Sequence, residues 1–114
     1  MHEGALAQAA LDLVLETARQ HGAGRVTVIN LAVGALAEAD PESLTFWVGV
    51  LAAGGPAEGA EVRVAEVPAE AECAACRSSY RVAPPFWSVR CERCGAAGEL
   101  RTGRELAVTS IEVE

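Results

Sequence analysis

Cys73-Ala-Ala-Cys76 and Cys91-Glu-Arg-Cys94 are two Cys-x-x-Cys pairs that stand fourteen residues apart in the second half of the chain. Two residues between cysteines allow both thiolates of a tight turn to reach one ion, and two such pairs complete the tetrahedral shell that zinc prefers. These four residues are all the cysteines of the sequence. The spacing therefore predicts one zinc site held by Cys73, Cys76, Cys91 and Cys94.

Other uses of the four cysteines fit the pattern less well. Two disulfides would suit a small secreted domain, and a thioredoxin-like redox pair would need a single Cys-x-x-Cys at a strand-to-helix turn. An iron site stays open, because four thiolates also suit iron. Four thiolates fill the zinc shell and leave no position for a substrate, which indicates a structural metal and not a catalytic one.

The segment between the two pairs must reverse direction to bring the second pair back to the first. Residues 80–82 are Tyr-Arg-Val and residues 87–89 are Trp-Ser-Val, on either side of Pro84 and Pro85. Aromatic and β-branched residues around prolines are typical of short strands joined by a turn. The sequence thus predicts a small zinc ribbon.

The composition limits the kinds of partner. The 114 residues carry a formal net charge of −7, and all nine basic residues are arginine. Nucleic-acid affinity requires a basic face that contacts phosphates, so this charge argues against a nucleic-acid partner. An RNA-binding ribbon stays as an alternative to arginines that merely offset the charge of zinc held by four thiolates. The arginines concerned are Arg77, Arg81, Arg90 and Arg93.

Neither a membrane span nor an export signal is expected. The sequence has no run of about 18 apolar residues, which a membrane-spanning helix would need. Its first 20 residues include three acidic residues and lack a basic start, unlike a signal peptide. Cysteines that stay reduced without an export signal indicate a cytoplasmic protein.

Hydrophobic periodicity predicts two helices. Residues 3–21 have helical spacing and end before Gly22, a usual residue just past a helix. A second helix begins with Asp40 at the N-cap and Pro41 in the first turn, and it ends before Gly54. Its expected core residues are Leu44, Trp47, Val48 and Leu51. The expected apolar stripe of the first helix consists of Leu6, Ala9, Ala10, Leu13, Val14 and Thr17.

Three further segments have the pattern of strands. Residues 25–36 are β-branched and apolar on both faces, as in a central strand. Residues 61–67 and 103–113 alternate in polarity. The order predicts an α+β fold: a three-stranded sheet with two helices on one face, plus the four-cysteine zinc ribbon inserted between the last two strands. The base domain would comprise residues 1–70 and 101–114 and the zinc-ribbon domain residues 71–100, with residues 57–72 as a solvated edge and linker.

The chain begins Met1-His2-Glu3. Histidine at the second position places an α-amine, a backbone amide and an imidazole within reach of one ion. Ni(II) and Cu(II) favour such nitrogen sets. Any chain can carry histidine at this position, so the pattern alone leaves open a frayed terminus without a metal.

The whole chain resembles the HypA/HybF family of hydrogenase and urease nickel-incorporation proteins. Four segments carry the resemblance in the family's order: Met1-His2-Glu3, residues 34–44, the two cysteine pairs with Gly95, and residues 103–112. Residues 95–100 are plainer than the family pattern, which leaves the rim of the ribbon undefined but not its ligands.

The resemblance implies a nickel metallochaperone for the maturation of NiFe hydrogenase and, in some organisms, of urease. Similar proteins bind Ni(II) at the N-terminus through His2, the amine of Met1 and nearby backbone nitrogens, with Glu3 close by. They hold a structural zinc through the four cysteines. They act with a HypB-type GTPase and deliver nickel as a transient cargo to the hydrogenase large subunit.

Two other classes of function remain. A zinc-ribbon adaptor that binds protein or RNA without handling nickel would keep its zinc and would not depend on His2. An enzyme is the least expected class, because the sequence offers no Ser/His/Asp or Cys/His set and its two histidines stand 19 positions apart. We therefore expect no catalytic residues.

Overall fold

In the computed structural model of the protein, residues 2–83 and 89–114 are described, and they form two helices and two small sheets. The helices are α1 (His2–Gln20) and α2 (Pro41–Ala52). The strands are β1 (Val26–Gly34), β2 (Glu61–Val67), β3 (Glu70–Cys73), β4 (Ser79–Arg81), β5 (Gly98–Thr102) and β6 (Leu106–Val113). No helix in the described part of the chain is long and apolar enough to cross a membrane.

The first sheet has the strand order β2-β1-β6. Strand β1 runs parallel to β2 and antiparallel to β6, so the apolar segment in the middle of the sequence is the central strand, as predicted. Both helices pack against one face of this sheet, and the main core between them includes Val14, Ile29, Leu44 and Val48. The predicted α+β fold with two helices on one face of a three-stranded sheet is confirmed.

The buried stripe of α1 differs from the predicted one. The structure buries Ala7, Leu11, Val14 and Ala18, whereas Leu13 is 53% exposed. Leu6 and Ala10 only border the core, and Ala9 is exposed. Apolar residues cover most of the circumference of α1, so its hydrophobic periodicity was compatible with either of two neighbouring stripes as the buried one. The buried stripe contains the small side chains of Ala7 and Ala18, which allow the helix to approach the rest of the core more closely.

The ends of the two helices follow the sequence signals. The carboxylate of Asp40 accepts a hydrogen bond from the backbone N–H of Ser43 at 3.1 Å, which satisfies a free amide of the first turn of α2. After α1, the N–H of Ala23 donates to the carbonyl of Ala18 at 2.9 Å, and Gly22 has a φ of 68°. This is the Schellman arrangement that glycine favours. Trp47 packs against the core, as expected.

The second sheet carries the cysteines, and its strand order is β4-β3-β5. The prediction of a solvated edge and linker over residues 57–72 holds for β2, which is an edge strand with exposed residues. It is wrong for the rest of the segment, because Ala57 lies in the main core and β3 is the central strand of the second sheet. Strand β3 alternates Glu70 and Glu72 with buried Ala71 and Cys73. Four residues are too few for this alternation to be recognised within an Ala/Glu-rich segment. The predicted strand at 80–82 is observed as β4, one residue earlier.

Other parts of the ribbon also depart from the sequence prediction. Residues 98–102 form β5, which the sequence did not predict. Of the strand expected at 87–89, residues 87 and 88 lie outside the described residues, and Val89 is not in a strand. The N–H of Gly98 instead donates to the carbonyl of Val89 at 2.7 Å.

The two sheets meet where β1 ends. Backbone N–H groups of Gly34 and Leu36 donate to the carbonyls of Glu105 and Gly103, each at 2.7 Å. A Cβ atom on Gly34 would lie 2.2 Å from the backbone of Gly103, so this crossing has room only for glycine. Leu36 then packs on the small apolar cluster of the ribbon, which contains Ala71 and other residues of the second sheet. The loop from β1 to α2 therefore contacts both parts of the molecule.

Candidate metal centres

The four cysteines predicted as zinc ligands lie together in the structure. The Sγ atoms of Cys73 and Cys94 are 3.5 Å apart, those of Cys76 and Cys91 are 3.7 Å apart, and all four lie within 4.8 Å of one another. A tetrahedron with Zn–S bonds of ~2.3 Å has edges of about 3.8 Å. The cluster therefore has the size and the donors for a four-coordinate metal ion.

Each cysteine pair forms the same local turn. The N–H of Arg77 donates to the carbonyl of Cys73 at 3.1 Å, and the N–H of Gly95 donates to the carbonyl of Cys91 at 2.9 Å. The residues that close the turns both have positive φ, 64° at Arg77 and 75° at Gly95. Glycine adopts this conformation without steric cost, whereas arginine does so at a cost that the turn must offset.

Backbone amides inside the pairs point at sulfur. The N–H groups of Ala75 and Cys76 lie 3.4 Å from Sγ of Cys73, and the N–H of Arg93 lies 3.4 Å from Sγ of Cys91. Donors directed at a thiolate stabilise its negative charge. The two-residue spacing thus supplies both the turn and the donors that a metal-bound thiolate needs.

The pKa values of Cys91 and Cys94 are shifted in opposite directions. The pKa of Cys91 is lowered to about 6, mainly because the hydroxyl of Ser78 and then the N–H of Cys94 stabilise the thiolate. The N–H of Ala96 would lower the pKa of Cys94, but hydrogen bonding with Cys73, burial and the other cysteines together raise it to about 11. Four neighbouring thiols cannot all carry charge without a cation, and a divalent metal ion supplies the compensating charge.

Ser78 is a residue that sequence reasoning missed. Its hydroxyl oxygen lies 3.1 Å from Sγ of Cys76 and 3.5 Å from Sγ of Cys91, so it bridges the two pairs. Nothing in the spacing shows that a serine two positions after Cys76 faces Cys91. Tyr80 also borders the cluster: its hydroxyl donates to the carbonyl of Val89, and burial followed by the charge of the cysteines raises its pKa.

The predicted nickel residues lie at the start of α1. Met1 lies outside the described residues, and His2 is the first residue of the helix. The imidazole Nε2 of His2 is 2.7 Å from the carbonyl oxygen of Glu38, and its Nδ1 is 3.9 Å from a carboxylate oxygen of Glu3. The His2 side chain is 54% exposed and that of Glu3 is 19% exposed.

The loop before α2 surrounds this terminus with acidic groups. A carboxylate oxygen of Glu3 lies 3.5 Å from the backbone nitrogen of Asp40. A groove beside it is lined by Glu3, Glu38, Asp40 and Glu66. The sequence did not single out Glu38 or Glu66, because each is more than 30 positions from the terminus. Helix α1 packs beside this loop, with Gly4 against the ring of Trp47 in α2. This packing brings Glu38 and Glu66 close to the terminus.

The fold and the cysteine cluster define the class of the protein: a small α+β metal-binding protein with a four-cysteine ribbon inserted into a three-stranded sheet. The sequence model of a family described as hydrogenase/urease nickel incorporation, metallochaperone, HypA, matches residues 1–113. The chain belongs to this family, and the resemblance seen in the sequence is confirmed.

Curated relatives support the family, and a solved structure shares the fold. A hydrogenase maturation factor HypA from Chlorobaculum tepidum is 38% identical over 115 residues and is covered over its full length, as is this chain. Another, from Streptomyces avermitilis, is 41% identical over 119 residues, which cover all of this chain and 88% of that protein. The solution structure of the Ni metallochaperone HypA from Helicobacter pylori has a TM-score of 0.70 at 17% identity, with 97% of this chain and 96% of that chain covered. At this identity the likeness shows the fold alone.

Proposed function

We propose that this protein binds Ni(II) at its N-terminus and delivers it during the maturation of NiFe hydrogenase, with urease as a further client in some organisms. The ligands in this proposal are the amine of Met1, the imidazole of His2 and backbone nitrogens of the first residues, with Glu3 beside them. The observation that carries the proposal is that α1 begins at His2, with its imidazole exposed next to an acidic groove.

The start of a helix supplies free nitrogens. The first N–H groups of an α-helix have no acceptor within the helix, so the amides of His2 and Glu3 are not needed for helical hydrogen bonds. Nickel can displace the proton of such an amide. The positive end of the helix dipole stabilises the anionic nitrogen that results.

The acidic groove favours a cation at this end of the helix. The helix dipole alone would repel Ni(II), because it places partial positive charge at the N-terminus. Four carboxylates line the groove beside the terminus, those of Glu3, Glu38, Asp40 and Glu66. Their negative charge acts within the screening length of the solvent and offsets the positive partial charge of the helix end. They concentrate a divalent ion at the terminus without needing to coordinate it.

The cysteine cluster has a different role in the proposal. Cys73, Cys76, Cys91 and Cys94 would hold Zn(II) as a permanent structural ion, since four thiolates close the coordination shell and two of them are buried. We also propose a base domain of residues 1–70 and 101–114 and a zinc-ribbon domain of residues 71–100; β3 begins one residue before this boundary and β5 ends two residues after it. A site at an exposed terminus can pass its ion to a recipient, whereas a closed thiolate site cannot do so easily.

The proposal implies a cytoplasmic, non-enzymatic protein. Its partners would be a HypB-type GTPase and the hydrogenase large subunit, with no nucleic acid and no membrane among them. Support comes from the family, which is one of nickel-incorporation metallochaperones. The competing function, a zinc-ribbon adaptor for protein or RNA, retains the same metal cluster but makes no use of His2.

A nickel titration with two histidine variants tests the proposal. The chain has two histidines, and His21 stands at the far end of α1, so His21→Ala is a matched control for His2→Ala. We expect His2→Ala to lower nickel affinity by more than about tenfold, or ~1.4 kcal/mol, while His21→Ala and the zinc content stay unchanged. Equal nickel binding by all three proteins would refute the terminal site and favour the adaptor function.

A further inference from the structure

We propose that the main-chain carbonyl of Glu38 is a positioning group for nickel binding. It holds His2 in the tautomer that carries its proton on Nε2, and so leaves Nδ1 free to coordinate the metal. This inference rests on the proposed function. It adds the Glu38 carbonyl, 36 positions from His2 in the sequence, which contacts the ligand His2 and not the nickel ion.

The hydrogen bond determines which nitrogen carries the proton. Nε2 of His2 lies 2.7 Å from the carbonyl oxygen of Glu38. A carbonyl only accepts, so Nε2 must donate, and a neutral imidazole that carries its proton there has an unprotonated Nδ1. The carboxylate of Glu3 lies 3.9 Å from Nδ1, which is too far for a hydrogen bond that would hold the proton on that nitrogen.

Chelation at the terminus requires this tautomer. Nδ1 is the ring nitrogen nearer the backbone, so it can bind the same ion as the amide nitrogen of its own residue in a small chelate ring. Nε2 lies on the far side of the ring and is engaged by Glu38. Metal-ligating histidines are commonly fixed in this way, by a carbonyl that accepts from the nitrogen opposite the metal.

The position of the carbonyl depends on the backbone of the loop and not on the Glu38 side chain. Glu38 has a φ of 57°, in the left-handed region that few side chains adopt. Asparagine is enriched in this conformation, whereas a β-branched residue is a strong outlier there. Glu38→Asn and Glu38→Val therefore form a matched pair: both remove the carboxylate, but only valine disfavours the conformation that aims the carbonyl at His2.

The tautomer can be observed without nickel. The zinc-loaded, nickel-free protein with 15N-labelled histidine has only the rings of His2 and His21 to assign in a long-range proton–nitrogen spectrum. We expect the wild type and Glu38→Asn to show a single Nε2–H tautomer at His2, and Glu38→Val to show a mixture. Nickel affinity of Glu38→Val should be roughly tenfold below that of Glu38→Asn, the low end of the range for groups that orient metal ligands, at equal zinc content.

Three results would overturn the inference. The first is an Nδ1–H tautomer at His2 in the wild type, which needs no variant to observe. The second is the same mixture in all three proteins. The third is a tautomer change in Glu38→Val without a change in nickel affinity. Because the spectrum is recorded without nickel, it stands even if the His2→Ala titration refutes the terminal site, so failure of the two proposals can be told apart.

Discussion

At the scale of single residues, Arg77 and Gly95 occupy the same position in two equivalent turns of the metal cluster. Both have positive φ, and each donates its N–H to the carbonyl of the first cysteine of its pair. Arg77 adopts this conformation while its guanidinium pairs with Glu72 at 3.2 Å. The backbone conformation of the residue that closes each turn therefore affects the positions of the two thiolates in that pair.

Substitution of these two residues should have opposite effects. Gly95→Ala places a Cβ in the left-handed conformation and should weaken zinc binding by about 1–2 kcal/mol. Arg77→Gly relieves a cost of the same kind and loses only an exposed, solvent-screened ion pair with Glu72, so its zinc affinity should be equal or higher. Competition with a chromogenic zinc chelator measures both. Weaker zinc binding by Arg77→Gly than by Gly95→Ala would contradict the account.

Ser78 should govern the pH at which zinc is lost. Its hydroxyl is the largest of several causes that lower the pKa of Cys91 to about 6; the backbone of Cys94 and of Arg93 also contributes. This thiolate therefore favours the folded state above the ordinary thiol pKa of about 8.5, and that advantage is lost as the pH falls through about 6. Without the hydroxyl, protonation begins at a higher pH. We expect Ser78→Ala to release zinc at a higher pH than the wild type.

The neighbouring serine supplies the control for that measurement. Ser79 is exposed in β4, so Ser79→Ala should leave the zinc-release profile unchanged. Zinc release is followed with the same chelator as the pH is lowered. Coincident profiles of Ser78→Ala and Ser79→Ala would show that the Ser78 hydroxyl does not stabilise the thiolates.

At the scale of the elements, the crossing of β1 with the segment before β6 joins the two sheets. Gly34 ends β1, and Gly103, with a φ of 119°, approaches it without side chains between them. A Cβ on Gly103 would lie 2.6 Å from Cα of Ala69, so the contact is close on both sides of the crossing. The orientation of the ribbon relative to the main sheet therefore depends on two glycines.

Two glycine-to-alanine changes test this crossing. Gly34→Ala should destabilise the zinc-loaded protein by roughly 1–3 kcal/mol, the cost of forcing an extra group into a filled space. Gly49→Ala is the control: apart from neighbouring residues of α2 itself, no described atom lies within 4 Å of its Cβ position, and the change should stabilise the helix by about 0.5–1 kcal/mol. Urea unfolding gives both values. Equal stability of the two variants would contradict the close crossing.

The elements also show how far sequence reasoning reaches. Long or strongly marked segments were predicted well, because β1 is rich in β-branched and apolar residues and α2 carries Asp40 and Pro41 at its start. The four ligands of the metal cluster followed from their spacing alone. Strand β3 and most of the buried stripe of α1, Val14 excepted, were not predicted. Four residues give no clear period, and a helix that is apolar on most of its circumference allows more than one stripe. Ser78 contacts the cysteines and Glu38 contacts His2 only after the chain has folded, so neither contact was predictable from the sequence.

At the scale of the whole molecule, charge separates the proposed function from the adaptor alternative. The net charge is −7, and ribbon arginines are paired with acidic residues: Arg77 and Arg101 with Glu72, and Arg81 with Glu70. These pairs reduce the basic surface that RNA would need. Because Arg77 and Arg81 pair with carboxylates of the ribbon, the interpretation that these arginines balance the thiolates stays a prediction.

RNA binding should accordingly be absent at physiological salt. Nonspecific affinity comes from phosphate contacts that release counterions, and an acidic protein with paired arginines offers few of them. A filter-binding or fluorescence titration with single-stranded RNA measures it. Micromolar, salt-dependent binding that is lost when Arg77, Arg81, Arg90 and Arg93 are replaced by alanine would establish the adaptor function instead.

The central claim is that the free terminus itself binds nickel, and blocking its amine tests this most directly. Calorimetric nickel titrations would compare the zinc-loaded protein with a variant extended by Gly-Ser ahead of Met1. The extension converts the amine to an amide but leaves His2, Glu3 and the cysteine cluster in place. We predict that the extension lowers nickel affinity by more than about tenfold at unchanged zinc content. Identical nickel affinity of the two proteins would contradict the account and place nickel elsewhere in the molecule.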